Sequence, residues 1–389
     1  MATVRTLGNL KEVSRRTSTE RVALGALLLA AAFVLGACGG GSASEEREVT
    51  PAVPATQRPA SREPQGKIAF TAEIGSGAEV YVVEAQDGGA SQLTDQAAVN
   101  QWPRWSPDGQ YLALVRKPAG SGPITEPGEL VVVGADGAER QVISGAAVLE
   151  AYAAPFAWSP DATRIVYKAL NRSDVAAGLN LVDVASGQVT ELAAGRLGAM
   201  PDWSPDGSRI AFVSNKGEAA ASNDPNLEIY IMNADGSDIR PLTDHEGTDI
   251  APQWSPDGTR IAWWVRKPTG APHDLFVTDV GKPKPKELGT GSRPVWSADG
   301  DRLAFLDQIE GQNVDIFVLD LRDGRKVNVT GFDGEDTWPA WSADGSKIAF
   351  VSPRDNDRGE IYVVDADGSN LIRLTENDER EAFLDWSPD

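Results

Sequence analysis

Seven copies of one short motif constrain this chain more than any other feature. Trp-Ser-x-Asp begins at Trp105, Trp158, Trp203, Trp254, Trp296, Trp341 and Trp386, at spacings of 53, 45, 51, 42, 45 and 45 residues. After each of the first six comes an apolar strand: Tyr111-Leu-Ala-Leu, Arg164-Ile-Val-Tyr, Arg209-Ile-Ala-Phe, Arg260-Ile-Ala-Trp, Arg302-Leu-Ala-Phe and Lys347-Ile-Ala-Phe. Lys67-Ile-Ala-Phe70 is a further copy. A second strand follows, as in Glu228-Ile-Tyr-Ile-Met and Glu360-Ile-Tyr-Val-Val, then a turn such as Asn233-Ala-Asp-Gly236 or Asp365-Ala-Asp-Gly368, then a short Leu-Thr strand. Each unit therefore reads as four short β-strands, and repetition at this period marks an array rather than independent domains.

The turn chemistry explains why the same letters recur. In Ser204-Pro-Asp-Gly207, Pro presets φ near −65°, Ser and Asp bond local amides, and Gly closes a type I turn while tolerating positive φ. The copies at Ala298 and Ala343 lose the Pro and Ala162 replaces the Gly, so the turn is a preference. A Trp in every unit supplies a large apolar wedge, and the seven motif tryptophans are expected in the core.

The run Trp-Ser-Pro-Asp-Gly-x-x-Ile-Ala-Phe, then Ile-Tyr-x-Met-Asn-Ala-Asp-Gly and Leu-Thr, resembles the TolB-type propeller repeat, itself WD40-like, over residues 65–389. The resemblance implies an all-β fold, a β-propeller of four-stranded blades. Six blades are usual in that family, yet the repeats here number seven. The first unit opens at Lys67 without a Trp strand and the last closes at Trp386 without a following strand. Joined, they make one blade, which predicts seven blades closed by pairing of the N- and C-terminal strands; six blades with one irregular unit is the competing reading. Unit two, from Gln110 to Asp161, carries a Pro/Gly-rich insertion at Pro118–Gly128 and is the least regular.

Residues 1–64 read differently. Arg5, Lys11, Arg15, Arg16 and Arg21 precede an uncharged apolar run, Val22 to Ala37, of 16 residues, too short for the roughly 20 residues of a membrane span but suited to a signal peptide. Leu35-Gly36-Ala37-Cys38 contains the only cysteine and resembles a bacterial lipoprotein lipobox, which implies cleavage before Cys38 and lipidation of that residue. Ser14-Arg15-Arg16 carries a trace of a twin-arginine signal. Residues 38–64, with Gly39-Gly-Gly-Ser and Pro51, Pro54, Pro59 and Pro64, lack the apolar side chains of a core and read as a disordered tether. The organisation is thus 1–37 signal peptide, 38–64 lipidated Cys and tether, and 65–389 propeller, placed in the bacterial cell envelope on the extracytoplasmic, periplasmic side.

Charge and composition narrow the chemistry. The net charge is −21, and removal of residues 1–37, with five basic and two acidic residues, makes it −24, which disfavours nucleic acid as a partner. One Cys allows no internal disulfide, and His245 and His273 are the only histidines, against the multi-histidine metal site of propeller polysaccharide lyases. No Gly-x-Ser-x-Gly elbow, phosphate loop or His-Glu-x-x-His occurs. Asp355-Asn-Asp357-Arg-Gly-Glu360 and Asp365-Ala-Asp367-Gly-Ser-Asn370 are similar to oxygen-rich calcium loops without the full twelve-residue pattern. They read as solvated turns, and no cofactor is expected, with a calcium ion held by these loops as the alternative. Arg116-Lys117-Pro118 and Arg266-Lys267-Pro268 read as exposed loop charge.

The resemblance implies that the strand entering Trp-Ser-x-Asp lies nearest the axis, so residues three and five before each Trp approach the channel mouth. The first set is Trp102, Pro155, Met200, Ala251, Arg293, Trp338 and Phe383; the second is Asn100, Ala153, Gly198, Asp249, Gly291, Asp336 and Glu381. Of these, Trp102, Asp249, Arg293, Asp336, Trp338, Glu381 and Phe383 are the candidate binding residues, able to take a cationic or amphipathic peptide, a sugar or a metal ion. Side chains packed between blades are the competing account. The expected function is that of a monomeric, lipid-anchored, non-catalytic binding or scaffold protein for an envelope protein, peptide or glycan. The alternative is a glycan-active lyase or ester hydrolase using Asp249, Asp336 and Glu381.

Overall fold

The computed structural model describes residues 63–95, 98–119, 128–146, 153–169, 178–192, 198–215, 227–244, 247–267, 272–308 and 313–388. The signal-peptide, Cys38 and tether assignments, His245 and most of the Pro118–Gly128 insertion lie outside the described residues. Residues 59–389 form one compact unit. Among the described residues there are 28 strands and no helix.

A representative unit runs Ala199–Trp203, Arg209–Ser214, Glu228–Asn233, Arg240–Pro241, each strand antiparallel to the next. Four such units, spanning 199–241, 248–290, 292–328 and 337–373, are separate four-stranded sheets. The remaining strands follow the same order but are joined into one larger sheet by two single bridges, Ala78↔Val99 and Ala146↔Ala169. One unit draws on both chain ends: Arg380–Trp386 pairs antiparallel with Lys67–Ile74, which pairs with Gly77–Glu84 and through it with Ala90–Gln92. Ser387 Oγ accepts the Lys67 N–H at 2.9 Å, and the Trp386 indole donates to the Gln65 carbonyl at 2.8 Å.

The middle strands, such as Arg209–Ser214 and Lys347–Ser352, are almost wholly buried. That is why they read as continuous apolar runs instead of an alternating pattern. The seven motif tryptophans are 5–8% exposed, as expected, and they join one unit to the next. The indoles of Trp158, Trp296 and Trp341 donate to the carbonyls of Arg104, Gln253 and Val295 in the preceding unit, at 3.0–3.1 Å. The arginine six residues after a motif Trp lies over the Trp of the following unit: Arg164 over Trp203, Arg209 over Trp254, Arg260 over Trp296 and Arg302 over Trp341, at 4.6–5.1 Å. Each such cation–π contact adds a few tenths to about 2 kcal/mol, depending on desolvation.

Each turn after the Trp is built alike. Ser204 Oγ donates to Asp206 Oδ1 at 2.6 Å, Asp206 Oδ1 accepts the Ser208 N–H at 3.0 Å, and the Gly207 N–H donates to the Ser204 carbonyl at 2.9 Å. These bonds hold the Asp206 carboxyl down at about 2. Gly109, Gly207, Gly258, Gly300 and Gly345 take φ between 66° and 71°, and Ala162 is forced to 58° in the same place.

Candidate functional site: a cleft over a bulged inner ring

Every inner strand except one carries the same irregularity. The residue three before the Trp has a left-handed backbone at Trp102, Met200, Ala251, Arg293, Trp338 and Phe383, with φ from 49° to 58°. At each, the inner strand gains one residue against its neighbour; Gln101 faces Val115 while Arg104 faces Ala113, and Ile250 faces Trp264 while Gln253 faces Ala262. This is a β-bulge. In five of the six the next residue is proline, namely Pro103, Pro201, Pro252, Pro294 and Pro339, which lacks the N–H that a bulged position would leave without a ladder partner. The exception is Pro155, whose ring holds φ near −65° and bars the left-handed conformation. A non-glycine residue there costs on the order of 1–2 kcal/mol. The repeated outlier therefore needs a compensating gain, and the side chains supply it.

Four of those side chains meet. Trp102, Trp338 and Phe383 form a closed aromatic group with ring centroids 5.3, 4.4 and 4.5 Å apart, and the Arg293 guanidinium lies 4.4 Å over Trp338. Met200 and Ala251 pack with Val213, Ile250 and Trp264. This layer separates two openings. At the end where the inner strands begin, a cleft of about 840 Å³ has Arg293, Trp338 and Phe383 in its floor; its wall includes Asp307, Glu335, Asp357, Arg358 and Arg380. At the end of the Trp-Ser turns, a smaller cavity of about 400 Å³ is lined by Met200, Ala251, Phe156, Asp202, Asp385 and Arg104 among others. There Asp385 accepts Arg104 Nη1 at 2.9 Å and the Trp105 N–H at 2.7 Å, while Asp202 accepts the Trp254 N–H at 2.7 Å. Burial pushes the Asp202 carboxyl up to about 7.

The sequence-selected residues thus divide. Trp338, Phe383 and Arg293 line the cleft, with Trp102 buried beneath them. Asp249 and Asp336 are fully buried and do not line it; Asp336 bonds Arg354 at 3.3 Å and its carboxyl is raised by burial. Glu381, although 2% exposed, contributes to the wall. The difference follows from the bulge. Alternation alone would send positions three and five to the same face, but the bulge re-aims the strand between them, so Asp249 and Asp336 are withdrawn from the cleft.

Two loop readings need correction. Arg116 and Lys117 lie within the strand Tyr111–Pro118: Arg116 is held by Glu129 and Glu139 at 2.9 and 2.6 Å, and Lys117 is 1% exposed. Lys267 pairs with Asp274 at 2.7 Å, and its N–H donates to His273 Nδ1 at 3.0 Å. The acids of the calcium-like loops are engaged by donors: Asp355 by the Tyr362 hydroxyl and Arg373, Asp365 by Lys347 and Asn370. Among the described residues no group of three or more His, Cys, Asp or Glu side chains is placed to hold a metal ion.

Residues 121–293 and 274–389 match the family profile of the TolB beta propeller domain. The chain belongs to the TolB β-propeller family. A TolB homologue of Chlorobium luteolum is 28% identical over 125 residues, which is 32% of this chain and 26% of that protein. The match therefore spans about a quarter of the relative's length. Crystal structures of TolB from Acinetobacter baumannii and of oligogalacturonate lyase from Vibrio parahaemolyticus are similar in fold. The first has a TM-score of 0.52 at 20% identity, covering 83% of this chain and 82% of that one; the second has 0.55 at 17%, covering 77% and 86%. At these identities the likeness concerns the TolB-like propeller itself and leaves chemistry to the site.

Proposed function

We propose that this protein is a lipid-anchored, extracytoplasmic binding or scaffold protein, whose cleft takes a peptide segment, a protein or a glycan of the cell envelope without chemical turnover. The observation that carries the reading is the cleft floor: Trp338 and Phe383, packed on the buried Trp102, with a stacked Arg293, rimmed by charges of both signs. A rigid aromatic base in a polar rim suits recognition of a chain that is part apolar and part charged. The absence of Asp249 and Asp336 from the lining removes two of the three carboxylates on which a hydrolase or lyase reading depends. Family membership supports the binding role, and the TolB homologue supports an envelope partner.

The domain is a seven-bladed ring closed by its termini, a reading supported by the antiparallel register Ile68↔Trp386 and Ala72↔Glu381. Closure of this kind removes the free sheet edges that invite aggregation. Residues 1–37 are the signal peptide, Cys38 is the lipidated residue, residues 38–64 are the tether, and the protein is a monomer.

Affinity capture from solubilised envelope with the 59–389 unit, beside a Phe383→Ala/Arg293→Ala variant, tests the site. A protein or glycan held by the parent and reduced about tenfold or more by the variant, at a temperature where both remain folded, is the expected result. Equal capture by both would move the site off the cleft, and turnover of a glycan or ester by the parent would replace the reading with an enzymatic one.

A further inference from the structure

A recurring acid opens the third strand of most units: Glu79, Glu129, Glu228, Asp274, Asp315 and Glu360. Two of these acids can be compared through their hydrogen bonds at the junction with the next inner strand. At the first, Glu79 Oε2 accepts Asn100 Nδ2 at 3.0 Å and also the Thr94 hydroxyl. At the second, Glu381 stands at the position that Asn100 holds, and Asn377 bridges it to Glu360, its N–H donating to Glu360 Oε1 and its side-chain amide to Glu381 Oε1. Glu360 is fully buried. Its Oε1 accepts the Asn377 N–H at 3.0 Å, Arg373 Nη2 at 3.2 Å and the Asn356 side-chain amide. Its Oε2 is buried with no hydrogen-bond partner. Glu360 thus keeps one buried oxygen open, whereas at the first junction the Asn100 amide bonds an oxygen of Glu79. A carboxyl in place of that amide can donate to such an oxygen only when it carries a proton.

We propose that Glu381 holds a proton which it donates to Glu360 Oε2, so that the two carboxyls form a shared-proton pair fastening the C-terminal strand Arg380–Trp386 to the preceding blade. The surroundings favour a proton over a cation. Glu381 Oε1 already accepts Asn377 Nδ2 and its Oε2 the Thr375 hydroxyl, both at 2.8 Å, so donors occupy the directions a metal would need. Among the described residues Glu381 has no ion pair. The cation nearest the pair, Arg373, is shared between Glu360 and Asp355, with Glu376 also acting on it. On the blade before, Arg354 is held by Asp336. Arg380 of the closing strand, Glu73 of the strand paired with it, and Asp357 and Arg358 of the loop above face the cleft beside Glu381. Burial, reinforced by Glu360, raises the Glu381 carboxyl to about 7.

The sign follows. A carboxyl whose pKa is higher in the folded than in the unfolded protein contributes stability that is complete below about 4.5 and lost as pH rises through about 7. Above that, Glu381 carries a buried negative charge at the junction, two residues from Phe383 in the cleft floor. The proposal does not depend on the binding reading, because its readout is stability.

The experiment is denaturant or thermal unfolding of the wild type, Glu381→Gln and Asn100→Asp between pH 5 and pH 8.5. Gln at 381 supplies a permanent N–H donor, so this variant is expected to match the wild type near pH 5 and exceed it at pH 8.5. It should lose a pH-dependent factor of roughly a hundredfold in the folding equilibrium. Asn100→Asp should acquire a new fall in stability over the same range, including the case in which it folds only at the acidic end. Glu381→Gln with the full wild-type pH dependence, or uniformly destabilised at every pH, overturns the proposal. So does an Asn100→Asp protein that folds with no added pH dependence.

Discussion

Ala162 is the residue at which the repeat departs most plainly from its own turn chemistry. Five units place glycine at this turn position with φ near 70°, and the sixth forces an alanine to 58°. The Cβ clash in the left-handed region disfavours this by about 1 kcal/mol, partly offset by the greater unfolded-state freedom of glycine. Ala162→Gly is therefore expected to stabilise the domain by roughly 0.5–1 kcal/mol, seen as a higher denaturation midpoint at unchanged slope; a lower midpoint would show that the unit has relaxed around the alanine. The turn serine and aspartate need no such correction. Ser204 and Asp206 satisfy one another and the local amides, which is why these letters were readable as a turn without any tertiary information.

At the scale of the element, the bulged inner strand and the Trp-to-carbonyl bond define how one blade meets the next. Trp341 donates to the Val295 carbonyl at 3.0 Å and carries Arg302 on its face. Trp341→Phe keeps most of the apolar wedge but leaves that carbonyl without its donor. The expected loss is about 1–3 kcal/mol, from the hydrogen bond, the lost ring volume and a weaker cation–π contact. A neutral Trp341→Phe, measured by urea unfolding, would mean that water or another donor replaces the indole. The periodic arginine six residues after the Trp and the proline two before it are both visible in the sequence, and both were legible only as letters. Their roles involve a neighbouring blade and a bulge, and neither is a local property of the strand that bears them. The same reason explains the misread Lys117. A basic pair next to a proline looks like a loop until the strand pairing Arg116↔Glu129 places it inside a sheet.

For the molecule as a whole, charge sets the pH window. Asp202 and Glu381 are both pushed up to about 7, whereas turn carboxyls such as Asp206 are drawn down to about 2. The raised pair contributes stability that is full below about pH 4 and lost as pH rises through 7; the lowered group contributes stability that is present above about pH 4 and lost as pH falls through 2. The two opposing windows meet, and place the maximum of these contributions, near pH 4, with a decline from there towards pH 7. Asp202→Asn, which keeps an oxygen for the Trp254 N–H, should remove its share of the decline between pH 5 and 8. An unchanged decline in this variant, measured by thermal unfolding, would assign the whole effect to other groups.

The sequence by itself determined the all-β repeat, its period, the buried tryptophans and the turns, because each depends on interactions within a few residues or on one apolar face repeated along the chain. It also marked the inner-strand positions from which the aromatic floor is drawn. What only the tertiary structure decided is which of those positions share a surface. A single inserted residue in six of the seven inner strands, held by a left-handed backbone and in five of them followed by proline, turns Trp338, Phe383 and Arg293 to the cleft and leaves Asp249 and Asp336 buried. The meeting of Glu381 with Glu360 was likewise hidden, since the alternation of a strand fixes two faces for each side chain but not the neighbour that an adjoining blade brings against it.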